Sequence, residues 1–324
     1  MSALHVAVDA RDLAHDWRGI ARYLRAILKR FAGRDDVSVT MVERRAFGFQ
    51  RAPRAADVVW HPWNGTFFES RVPSVVTFHD AVPFWFAPAD AKKRANEQGP
   101  WLRSAATAQA FLANSAFTAR EVERYLHVAQ ARQTITYLAV EPGVFTPDGP
   151  AHELPDGRPY ILFAGAADPR KNIGTLIAAH ELAFPDGDIA LAVAGAEPPA
   201  GADVHFLGAL EPDELACWYR GARLVAVPSM YEGFGFPLLE AMACGTPAVA
   251  TRGSSLVEVG GDGSSWVDDA LDVEAWAAAL LQMVEDEPLR AKHRAAGLVQ
   301  AAKFSWDRCA EETLAVLRRA AEGG

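Results

Sequence analysis

The residues best suited to chemistry cluster in Pro228-Ser-Met-Tyr-Glu-Gly-Phe-Gly-Phe-Pro-Leu-Leu-Glu-Ala-Met-Ala-Cys-Gly-Thr-Pro247. The spacing predicts a buried strand ending at Val227, a glycine-containing turn, and a helix opening near Pro237, whose fixed φ suits a first helical position. Such a turn aims backbone N–H groups and the positive end of a helix dipole at one point, which suits phosphate. Gly233 and Gly235 lack a Cβ, so the backbone can approach a ligand closely. Glu232 falls in the loop and Glu240 on the first turn of the helix, so they need not form the adjacent acid/base pair of a glycosidase. Ionised carboxylates accept hydrogen bonds, and recognition of ribose or sugar hydroxyls fits this pair better.

Glu232-x7-Glu240 within YEGFGFPLLEAMACGTP resembles the signature of the GT-B retaining glycosyltransferases of family 4, the glycosyl transferases group 1. A second motif of that family is matched by Phe163-Ala-Gly-Ala-Ala-Asp-Pro-Arg-Lys-Asn172, directly after the first strand of the second half. The resemblance implies that Arg170 and Lys171 hold a donor diphosphate. A leaving diphosphate gains negative charge as the glycosidic bond breaks, and an ammonium with a helix N-terminus can stabilise it without a metal. Many members carry Arg after the loop glycine, whereas Ala166 follows Gly165 here. Compensation by Arg170 and a weaker grip are the two alternatives.

The first half carries further matches. Asp9-Ala-Arg-Asp12 and Trp17-Arg-Gly-Ile-Ala-Arg-Tyr-Leu24 resemble the family's first strand, glycine loop and helix, with Gly19 where the backbone approaches donor phosphates or acceptor. Thr77-Phe-His-Asp80 matches the pattern that puts a histidine, here His79, beside the transferred sugar. By the same resemblance Lys171 and the amides from Gly233 through Phe234 and Gly235 to Leu239 hold diphosphate, Glu240 the ribose and Glu232 the donor sugar. The implied reaction moves a hexosyl-type unit from a nucleotide diphosphate sugar to a hydroxyl acceptor with retention, in surface glycan or glycolipid assembly, with no metal or cofactor. The departing phosphate would help deprotonate the acceptor. A nucleotide-sugar epimerase and a non-catalytic nucleotide-sugar-binding module are the alternatives on the same architecture.

Other classes find little support. No G-x-G-x-x-G follows the first strand of either half, the nine histidines show no H-E-x-x-H spacing, and Asp186-Gly-Asp188 reads as a turn rather than a metal-binding Asp-x-Asp. Cys217, Cys244 and Cys309 are too scattered for a disulfide framework or zinc ribbon. No run of about 18 uncharged apolar residues occurs, so the expectation is a cytoplasmic protein, at most peripheral at the inner membrane face. A composition of 50% hydrophobic and 23% charged residues excludes a disordered chain, and a net charge of -9 argues against nucleic-acid binding.

These residues need positioning by βα units, which the short β-branched runs alternating with helical patterns supply. The fold expected is α/β, with two Rossmann-like parallel-sheet domains facing across a cleft. Residues 1–150 would form the acceptor-side domain and 151–303 the donor domain, joined through the Pro/Gly-rich stretch Glu141–Arg158, with a helix over 304–324 packing back on the first domain. Residues 1–150 carry 19 basic and 15 acidic residues and the remainder 13 and 26. The basic half fits an acceptor that is anionic or lipid-linked. A helix over Ile20–Phe31, with Arg22, Arg25 and Lys29 beside an apolar face, could meet anionic lipid, or pack on its sheet with a solvated basic face. Trp60–Trp63 and Val82–Pro88 supply aromatic rings that could stack on sugars or fill the core.

Overall fold

The structure, a computed structural model, describes residues 3–11, 13, 19–43, 53, 55–195 and 197–323. Asp12, Trp17 and Arg18 of the first glycine-loop pattern lie outside the described residues. The chain divides into two compact units, Met1–Leu138 with Ser305–Gly324, and Ala139–Phe304.

The first unit runs β1 (Leu4–Asp9), α1 (Gly19–Phe31), β2 (Val37–Val42), β3 (Val58–His61), β4 (Ser74–Phe78), α2 (Val82–Trp85), α3 (Ala91–Thr107), β5 (Ala110–Ala113), α4 (Ala116–Leu126) and β6 (Gln133–Ile135). Its strands form a six-stranded sheet in the order β2-β1-β3-β4-β5-β6, and every pair is parallel. β3 and β4 are buried along their whole length, as strands covered by helices on both faces must be.

The second unit runs β7 (Tyr160–Gly165), α5 (Ile173–Ala183), β8 (Ala190–Gly195), β9 (His205–Gly208), α6 (Pro212–Gly221), β10 (Leu224–Val227), α7 (Phe236–Ala243), β11 (Ala248–Thr251), α8 (Leu256–Gly260), β12 (Ser264–Val267), α9 (Val273–Glu285) and α10 (Glu287–Ala301). Its six strands follow the order β12-β11-β10-β7-β8-β9, again all parallel. One core of this unit packs Phe163, Leu176 and Trp276 with Val193 and Leu280. The chain winds outward from β7 through β8 and β9, then returns to the other side of β7 as β10. Loops leaving β7 and β10 therefore diverge at a topological switch point, where open α/β sheets leave a crevice for ligands.

Residues 139–150, assigned from the sequence to the first half, group with the second unit. The Arg220 guanidinium on α6 binds the carbonyls of Val144, Thr146 and Pro150, which holds this segment against that unit. The last helix, α11 (Trp306–Glu322), belongs to the first unit. Its Asp307 pairs with Arg30 at 2.6 Å, its Glu311 pairs with Arg34, and its Arg318 pairs with Asp36 at 2.6 Å. Of the apolar residues of α1, Tyr23, Leu24, Ile27 and Phe31 are buried and Ile20 and Leu28 are half-buried. That face is consumed by packing, so lipid could meet only the cationic side of α1. No helix among the described residues is long and apolar enough to cross a membrane.

Gly195 closes β8 beside the end of β7, with φ at +86°. A Cβ there would lie 2.6 Å from the Gly165 carbonyl oxygen. Gly195→Ala should therefore cost about 1–3 kcal/mol from backbone strain alone, with the clash added. Urea unfolding would register the loss as a lower midpoint, and an unchanged midpoint would contradict it.

Candidate functional site

The switch point of the second sheet is built from two loops locked to each other. After β7, Asp168 caps a short 3₁₀ turn, Pro169–Lys171, by accepting the Arg170 amide at 2.9 Å. Asn172 follows with φ at +55°, a conformation Asn tolerates better than most residues. Its side-chain amide donates to the Ala270 carbonyl at 2.6 Å and the Pro228 carbonyl at 3.2 Å, and its Oδ1 accepts from Thr175 Oγ1. The Met230 amide donates to the Arg170 carbonyl at 2.8 Å. The loops after β7, β10 and β12 thus share one set of hydrogen bonds.

This arrangement brings Lys171 to Glu232. Lys171 Nζ lies 2.5 Å from Glu232 Oε1, with only 15% and 8% of the two side chains exposed. Ser229 Oγ donates to the same Oε1 at 2.8 Å. The Glu232 backbone is clamped as well, since its amide donates to Ser254 Oγ at 3.1 Å and its carbonyl accepts from Ser255 Oγ at 2.8 Å. Arg170, expected beside Lys171 at a diphosphate, has its guanidinium on Asp168 at 2.7 Å. Burial works to raise the Asp168 carboxyl, but the Arg170 hydrogen bonds outweigh it and hold the group below its ordinary value.

The glycine turn precedes α7. Gly235 takes φ at +99°, which favours glycine, and a Cβ there would meet Leu256 Cδ2 at 2.6 Å and force that side chain to shift. The Leu238 and Leu239 amides donate to the Gly235 carbonyl and Pro237 has no N–H. A phosphate at this turn would therefore be met by amides before Pro237, those of Gly233, Phe234 and Gly235 among them. The Leu239 side chain is fully buried, and the Phe234 ring packs edge-on against Phe236 and Phe304. α7 begins at Phe236, so Glu240 stands on its second turn rather than its first. It is 2% exposed, and its Oε2 accepts from Tyr219 OH on α6 at 2.9 Å. Ser229, Ser254 and Tyr219 were not singled out from the sequence. Only the place of Ser229, just after a predicted strand end and three residues before Glu232, offered a signal.

In the first unit, Gly19 is the first residue of α1. Trp63 is buried with its indole N–H on the Asp9 carbonyl at 2.8 Å, whereas Trp85 is 45% exposed. Trp63 is therefore core material, and of the two only Trp85 presents a ring to solvent. Arg11 grips the buried Asp9 carboxylate through both oxygens. Among the described residues, no three His, Cys, Asp or Glu side chains group so as to hold a metal ion.

His79 follows β4 and is 5% exposed. Its Nε2 lies 2.9 Å from the Pro62 carbonyl, its amide donates to Asn64 Oδ1 at 2.5 Å, and its carbonyl accepts from Asn114 Nδ2 at 2.9 Å. The ring meets Tyr23 edge-on at 4.9 Å. Burial pushes its pKa down to about 4, although the Pro62 hydrogen bond works upward. The neutral ring that donates from Nε2 leaves Nδ1 an acceptor, so a sugar hydroxyl would donate to His79 rather than receive from it. The unfolded chain protonates this histidine near pH 6.5 and the folded chain near 4. Its contribution to stability is therefore complete above pH 6.5 and declines as pH falls toward 4. His79→Gln should flatten the stability profile across that window in chemical denaturation, and an unaltered slope would overturn the assignment.

Residues 146–298 match the family model "Glycosyl transferases group 1". The O-antigen chain mannosyltransferase B of Escherichia coli is 33% identical over 265 residues, covering 74% of this chain and 69% of that protein. The sucrose-phosphate synthase structure from Thermosynechococcus elongatus superposes with a TM-score of 0.79 at 18% identity, over 99% of this chain and 100% of that one. HepE of Anabaena, solved in complex with UDP and glucose, superposes with a TM-score of 0.68 at 15% identity over 99% of each chain. The two parallel six-stranded sheets are those of the GT-B architecture, with two Rossmann-like domains. The chain belongs to the group 1 glycosyltransferases, and it is a glycosyltransferase.

Proposed function

We propose that this glycosyltransferase takes a hexosyl unit from a nucleotide diphosphate sugar and transfers it, with retention and without a metal, to a hydroxyl of a growing surface glycan. The observation that carries the reading is the partly buried Lys171–Glu232 pair at the switch point of the second sheet, beside the glycine turn that opens α7. The UDP and glucose bound by HepE support a nucleotide-sugar donor, and the O-antigen chain relative supports a glycan acceptor that is lipid-linked or anionic and met at the inner membrane face.

In this reading the diphosphate takes the Lys171 ammonium and the amides before Pro237. Breaking of the glycosidic bond sends its electron pair to the β-phosphate oxygen, and the ammonium stabilises the charge that accumulates there. The departing phosphate accepts the proton of the attacking hydroxyl on the same face of the sugar, which yields retention. Glu232, released from Lys171, accepts hydrogen bonds from donor sugar hydroxyls, and Glu240 receives those of the ribose. On the first unit, His79 would accept a ligand hydroxyl at Nδ1. Arg170 acts by fixing the loop through Asp168 rather than by gripping phosphate directly.

Two variants separate the roles. Lys171→Ala should weaken binding of GDP or UDP, whichever the wild-type protein prefers by calorimetry, by about tenfold or more, because one charge-assisted contact is lost. Turnover should fall further, and wild-type turnover would sink the reading. Glu232→Gln removes the competing carboxylate, so the nucleoside diphosphate should bind about threefold to tenfold more tightly while transfer is lost. Weaker binding in this variant would show that Lys171 is not the diphosphate ligand.

A further inference from the structure

Glu232 receives two side-chain hydrogen bonds on one oxygen. Lys171 Nζ and Ser229 Oγ both reach Oε1, at 2.5 and 2.8 Å, and Oε2 takes none from the described residues. The two donors differ in kind. Lysine is a point charge on a flexible four-carbon stem, whereas a serine hydroxyl sits one bond from its Cβ and has few rotamers. Ser229 is 2% exposed and follows Pro228, whose carbonyl is held by Asn172, so its position is fixed by the same hydrogen bonds that build the crevice.

We propose that Ser229 is a positioning residue that holds the Glu232 carboxylate in place for the donor sugar and thereby sets discrimination between epimeric donors. The inference rests on the assignment of Lys171 to diphosphate and Glu232 to the sugar. Without ligand, the two contacts to Oε1 are redundant. When diphosphate arrives, its greater negative charge draws the ammonium from Oε1, and Ser229 becomes the one side chain still fixing that oxygen. Ser254 and Ser255 continue to hold the Glu232 backbone but not its carboxylate. A carboxylate fixed through Oε1 presents Oε2 in one direction and rewards a hydroxyl of one configuration. A carboxylate free to rotate follows the hydroxyl of either epimer, and selectivity built on hydrogen bonding is lost.

The role therefore shows itself only in the loaded enzyme. Ser229→Ala is assayed on UDP-glucose against UDP-galactose and on GDP-mannose against GDP-glucose, with methyl α-mannoside as acceptor, beside calorimetry of UDP and GDP and a melt of the ligand-free protein. Expected are a fall of about tenfold in kcat/KM for the better donor and a comparable narrowing of the epimer ratio, from loss of one hydrogen bond to a charged group. The variant should stay folded, with a melting temperature lowered by a few degrees at most and nucleoside diphosphate affinity at the wild-type value, and Ser229→Thr, which keeps the hydroxyl, should restore the ratio. An unchanged epimer ratio overturns the proposal, as does a loss of diphosphate affinity equal to the loss of turnover, which marks a merely structural serine. If Lys171→Ala instead leaves UDP and GDP binding intact, or wild-type protein consumes none of the four donors, the underlying donor assignment fails, whatever Ser229 does.

Discussion

The second unit is organised around a partly buried ion pair that it would be costly to leave unsupported. Removing an ammonium and a carboxylate from water carries a penalty of several kcal/mol each, and their attraction offsets it only if geometry is good and remaining polar groups are satisfied. The supports are visible around Lys171 and Glu232. Ser229 shares the carboxylate, Ser254 and Ser255 hold its backbone, and Asn172 ties the lysine's loop to the loops after β10 and β12. Several residues in the left-handed backbone region cluster here for the same reason. Asn172, Ser254 and Gly235 all have positive φ, and loops that must meet at a point cannot all remain in extended or helical backbone.

On the proposed donor reading, this point is electrically quiet until a diphosphate arrives. Each charge expected to meet the donor neutralises the other, and the diphosphate must displace one carboxylate to engage the lysine. That exchange couples phosphate recognition to sugar recognition, because the event that takes Lys171 also frees Glu232 to accept hydroxyls. A nucleoside diphosphate alone would leave the freed carboxylate without sugar hydroxyls, whereas the intact donor satisfies both groups.

Much of this was legible in the sequence. Strands such as Ser74–Phe78 and Leu224–Val227 fall where β-branched runs put them, because buried parallel strands need continuous apolar surface. The glycine turn and the two glutamates were visible because only certain residues permit them. β12, Ser264-Ser-Trp-Val267, was not anticipated, since two serines opening a strand give no apolar run and only pairing with β11 makes it one. The partners of charged side chains were equally hidden. Nothing in the local pattern says that Arg170 turns back to Asp168, that Lys171 crosses 61 residues to Glu232, or that Arg30 at the end of α1 and Arg34 just beyond it are met by acids of α11. Equally hidden was the partner of His79, whose Nε2 is spent on the Pro62 carbonyl, a group that only the fold brings near.

The charge division between the units sharpens once their membership is known. The first unit, with α11 included, holds 22 basic and 17 acidic residues, and the second holds 10 and 24. A diphosphate would therefore be bound by the unit whose overall field repels it. Repulsion of this kind is screened beyond about 10 Å at moderate salt, while contacts inside a water-poor turn are screened much less. Binding then depends on local donors alone, the Lys171 ammonium and the amides at the head of α7. A surface that repels anions generally and accepts one only where those donors converge gains selectivity against other phosphates, at the expense of the long-range attraction that a basic domain would have supplied.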